Sequence, residues 1–149
     1  MNAANVDRQA LWDVYDYEVD MFNQMLSACQ MGVREAYPQP IQNAIVESML
    51  LHLRILVDIL LSRGSDADDI KLTNLLPKFQ SPLLGQLKDS YESSRNAGSP
   101  CWTLNKMLAH ATTLRCSSYD YGPMLKIMRP IIVCLLDQIA QARNLSLGE

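Results

Sequence analysis

Apolar residues recur along this chain at three- and four-residue intervals, and no segment alternates with period two over a convincing length. The pattern predicts helices and no strands. From Val6 to about Met31, a first helix carries Leu11, Tyr15, Val19, Phe22, Leu26 and Cys29 on one face. Asp13, Asp16, Asp20, Gln24 and Ser27 form its opposite face, which reads as solvated. Gly32 lies near its end, and Pro38 and Pro40 block its continuation. A second helix is expected from about Ile41 to Ser62 or Arg63, closed by Gly64. It is apolar nearly all round, which calls for neighbours on several sides. Its exceptions are a stripe of charges, Glu47, Arg54 and Asp58, spaced i, i+7 and i+11. Arg54 and Asp58 are also an i,i+4 pair, and charges in a bundle interior need partners.

The next stretch, from Gly64 to about Pro100, is the least regular. Ser65-Asp66-Ala67-Asp68-Asp69 is a polar connection in which Asp68 or Asp69 caps a short helix, Ile70–Leu76, stopped by Pro77. Ser81-Pro82 opens another helix that runs to about Ser94, and Arg95 to Pro100 is a loop by composition. A helix over Thr103 to Leu114 or Arg115 presents Leu104, Met107, Leu108, Ala111 and Leu114. At ~100° per residue, Arg115 falls inside that apolar face and His110 at its edge. The last long helix covers about Tyr121 to Arg143, with Met124, Ile127, Met128, Ile131, Leu135, Leu136 and Ile139 as its core face. Pro123 suits its first turn, and the interior Pro130 should kink it. The expected architecture is one domain over residues 1–149. It is an all-α, up-and-down four-helix bundle with short extra helices in the central connection.

Composition narrows the function classes. The chain has 149 residues, 48% of them hydrophobic and only 19% charged, enough for a real core. A net charge of −3 argues against a globally basic nucleic-acid binder. The first residues, Met1 to Arg8, lack a basic segment followed by an apolar run, which predicts no secretory signal. The most apolar stretch, Ile45–Leu61, contains Glu47, His52, Arg54 and Asp58 and reads as a core helix rather than a membrane span. None of the four cysteines, Cys29, Cys101, Cys116 and Cys134, forms a CxxC pair, and only two histidines are present. A zinc site therefore has almost no ligand set, and a reducing cytoplasm is the expected compartment. Cys29 and Cys134 sit among apolar residues and read as small core side chains.

No phosphate-binding loop, dinucleotide fingerprint, zinc-protease, nucleophile-elbow or calcium-loop motif is present. No Glu-x-x-His pair supports a di-iron site. Neither metal nor cofactor is expected. What remains is a set of polar groups at core positions: Arg54, Asp58, Asp68 and Asp69 on one side, and Asn105, Lys106, His110, Thr112 and Arg115 on the other. An Arg on an apolar face demands a carboxylate, and Asp58 and the Asp68-Asp69 pair are the candidates. One reading is a salt-bridge network that ties the connection to the bundle. The sharper one makes His110 a general acid or base, with Lys106 or Arg115 stabilising negative charge on a phosphodiester.

Leu53-Arg54-Ile55-Leu56-Val57-Asp58, then Asp68-Asp69, then the run from Leu104 to Arg115 (LNKMLAHATTLR) resemble a group of small bacterial helical proteins related to the HEPN superfamily (higher eukaryotes and prokaryotes nucleotide-binding). The resemblance spans roughly Ile41 to Arg143 and is specific only at these three points. Within that superfamily, metal-independent ribonucleases pair an Arg with a His four to six residues downstream, across a homodimer. The resemblance therefore implies His110 as the catalytic His. The Arg position departs: Asn105 and Lys106 stand upstream of His110, and Arg115 lies downstream. That departure fits a homodimeric bundle that binds RNA or protein, or scaffolds an assembly, better than it fits a nuclease. The rival reading is a ribonuclease using His110 with Lys106 and Arg115. A third, a small-ligand site lined by Trp102, Tyr119 and Tyr121, rests on aromatic composition alone.

Overall fold

The computed structural model describes residues 7–66, 68–92, 99–109 and 120–147, and every regular element among them is helical. In order they are α1 (Arg8–Gln30), a 3-10 turn (Arg34–Ala36), α2 (Gln39–Leu60), α3 (Leu72–Leu75), α4 (Pro82–Glu92), α5 (Pro100–Leu104), a π-helical turn (Asn105–Ala109) and α6 (Gly122–Leu147). Among the described residues, no helix is long and apolar enough to cross a membrane. The chain divides into two compact units, Met1–Lys71 and Leu72–Glu149.

In the first unit α1 packs along α2. Helix α1 starts at Arg8 because the Asp7 carboxylate accepts the Gln9 amide at 3.0 Å. It ends where Met31 donates its amide to the Ser27 carbonyl and Gly32 turns left-handed at φ +70°. Helix α2 begins at Gln39, two residues earlier than expected, because Pro40 fits the first turn, where its missing N–H costs nothing. At its far end the Ser62 amide reaches the Ile59 carbonyl at 3.0 Å and the Arg63 amide the Asp58 carbonyl at 2.8 Å. These are the paired bonds of a Schellman motif, with Ser62 in the left-handed position at φ 51°. Gly64, expected to close the helix, lies beyond it at φ +127°. A Cβ built on Gly64 would meet the Asp69 carboxylate head-on, with its Cγ 2.7 Å away.

The buried face of α1 is Trp12, Tyr15, Glu18, Phe22 and Leu26. Leu11, Val19 and Cys29, expected on that face, are only half-buried. Trp12 wins because its ring meets Tyr15 edge-on at 5.3 Å, and a large aromatic buries more area than Leu11 or Val19. Asp13, Asp20, Gln24 and Ser27 are exposed, as the pattern predicts, whereas Asp16 on the same expected face is half-buried. In α2 the buried side chains are Met49, Leu50, His52, Leu53, Leu56, Val57, Ile59 and Leu60.

In the second unit α4 packs on α6 and on α5. Helix α3 is a single turn that buries Leu72 and Leu75 and stops before Pro77. Ser81 caps α4 by accepting the Leu83 amide at 3.2 Å, and Leu87 and Tyr91 point inward. Helix α5 starts at Pro100 rather than Thr103, because Ser99 accepts the Trp102 amide at 3.1 Å and so supplies an earlier cap. The α-helical form then gives way to a π-helical turn over Asn105–Ala109. Wider turns change which residues share a face, so the stripe drawn at 3.6 residues per turn does not carry through. Leu104 is buried, Leu108 only half-buried, and residues 110–115 of the expected helix lie outside the described residues.

Helix α6 runs on past Pro130 to Leu147 and buries Met124, Met128, Ile132, Leu135 and Ile139. Of the expected core face, Ile127 is 60% exposed and Ile131 and Leu136 are only half-buried, and Ile132 rather than its neighbour Ile131 takes the inner position. The spacing 124, 128, 132, 135, 139 keeps one true helical stripe, whereas Ile127 falls outside it. Cys134 is likewise exposed, on that outer side, rather than in the core. Cys29 is half-buried, and burial pushes its thiol up, with Arg34 pulling the other way.

Thr103 is 2% exposed, and its hydroxyl finds no hydrogen-bond partner among the described residues. A buried hydroxyl without a partner loses its hydration and gains nothing back. Thr103→Val keeps the shape and removes that group. We expect it to raise unfolding free energy by about 1 kcal/mol in urea titrations; a loss of similar size would show that the hydroxyl is satisfied in solution.

Candidate functional site

Two polar clusters occupy the first unit. The better buried one is a pair across the α1–α2 seam. His52 Nδ1 lies 2.6 Å from Glu18 Oε2, and each side chain is only 9% exposed. Glu18 is carried inward because it stands three residues after Tyr15 and four before Phe22. His52 is buried on the inner side of α2, as Leu53 and Leu56 are. The ring nitrogen and the carboxylate are at hydrogen-bond distance. Tyr17 closes the outer side of the ring edge-on, with centroids 5.7 Å apart. A carboxylate that holds Nδ1 fixes the ring's orientation and tautomer and leaves Nε2 as the nitrogen for other work. The arrangement can therefore serve as an interhelical clasp or as an oriented acid–base pair.

The second cluster lies at the C-terminal end of α2. Asp58 faces the Arg63 guanidinium, Nε to Oδ1, at 3.6 Å. Burial pushes its carboxyl above the usual aspartate value, while Arg63 and Arg54 pull it down and Asp69 adds to the rise. Arg54 and Asp58 are half-buried rather than buried, and Glu47 on the same stripe is exposed. In the connection the Asp69 carboxylate accepts the Asp66 amide at 2.8 Å. Carboxylate oxygens of Asp66, Asp68 and Asp69 lie within 4.8 Å of one another, and these are the described residues that could hold a cation.

The structure thus brings Arg54, Asp58 and Asp69 together and places Asp68 beside them in the acidic connection. Asn105 and Lys106 sit half-buried in the π-helical turn, where the Asn105 amide donates to Cys101 Sγ at 3.7 Å. His110, Thr112 and Arg115, and with them Tyr119, lie outside the described residues. The Glu18–His52 pair was missed by the sequence reading. Its signal was present: both residues fall on stripes that are otherwise apolar, and the chain holds few histidines. What the sequence lacks is any mark that pairs position 18 with position 52. Compared with known proteins, the chain matches no family model, no curated protein and no solved structure.

Removing one partner of the buried pair strands the other. Glu18→Leu and His52→Leu should each cost about 2–4 kcal/mol in urea unfolding, and the double variant clearly less than their sum. Additive costs would show that the two groups do not interact. Asp58 gives a pH signature. Its ionised form is less favourable in the folded chain than in the unfolded one. Its contribution is full below the ordinary value of 3.8 and is lost as pH rises through the elevated folded value. Asp58→Asn should therefore gain stability relative to the parent as pH rises from below 3.8 to neutrality, read from urea midpoints. An unchanged difference across that range would contradict the assignment.

Proposed function

We propose that this chain is a helical binding and assembly module, a four-helix bundle of HEPN-like type that works as a homodimer. One observation carries the reading: large apolar side chains stay in water. Ile127 is 60% exposed, Leu145 76% and Tyr17 55%. Scattered exposed apolar residues are ordinary, but a helix with apolar side chains on both its inner and outer sides is the surface of something meant to be covered. The Arg54-to-Asp58 run, Asp68-Asp69 and the run from Leu104 to Arg115 support the HEPN-like part of the reading. The half-buried Arg54, Asp58 and Arg63 group is, on this view, a structural polar cluster at the end of α2 that takes no part in chemistry.

The test has two arms. Sedimentation velocity at rising concentration should give a species of twice the 16.8 kDa chain mass. A time course on RNA in EDTA should give no cleavage that depends on His110. A monomer throughout would sink the assembly reading. Cleavage lost on His110→Ala, with an unchanged thermal melt, would replace it with a metal-independent ribonuclease.

A further inference from the structure

We draw no further inference here: the strongest candidate, the apolar flank of the α1–α2 seam formed by the exposed Val14, Tyr17 and Leu51, carries nothing, because nothing in the structure shows what covers it.

Discussion

A carboxylate and an imidazole buried in an apolar seam fix how the first two long helices lie against each other. Leucine against leucine tolerates sliding: shifted by one turn, about 5.4 Å, an apolar stripe still meets an apolar stripe. Glu18 and His52 tolerate no such shift. Displaced by a turn, each would be buried with nothing to bond, at a cost of about 1–3 kcal/mol apiece. The apolar residues around them supply the drive to associate, and the polar pair selects the register. Trp12, Tyr15, Phe22 and Leu26 on α1 then meet the Met49-to-Leu60 face of α2 in a single way.

The ends of these helices are set by local chemistry rather than by the seam. Asp7, Ser81, Ser99 and Asp120 each take up a backbone amide two or three residues on, and each stands at the start of a helix. Prolines at 40, 82, 100 and 123 sit in first turns, where the absent N–H is no loss. Chain direction therefore changes where side chain and ring say so, and the apolar faces are delivered to each other already aligned.

Much of the helical pattern was legible because period and punctuation are local properties. The helix opened by Ser81-Pro82 and the short turn before Pro77 follow from residues within a few positions of one another. Faces were less legible. Each of Trp12, Glu18 and Ile132 lies one position from a residue that an apolar count prefers, and only packing decides between neighbours 100° apart. The π-helical turn at Asn105 has no mark in composition at all. The polar site divides the same way. Arg54 and Asp58 were found because they are four residues apart on one helix. Arg63 was missed as the Asp58 partner because a Schellman end had to curl the chain back first. Glu18 and His52, 34 residues apart, are joined only by tertiary structure.

The loop after α2 holds a consequence for how this sequence can drift. The space a side chain would need at Gly64 is filled by the Asp69 carboxyl group, whose Cβ stands 2.8 Å from where a Cβ at 64 would be. The two positions are thus a single volume shared by two residues. Shortening residue 69 would lose the carboxylate that ties down the Asp66 amide and still would not open position 64, whose backbone at φ +127° strains any side chain. Two independent constraints therefore hold glycine there, and no single exchange at 69 releases it.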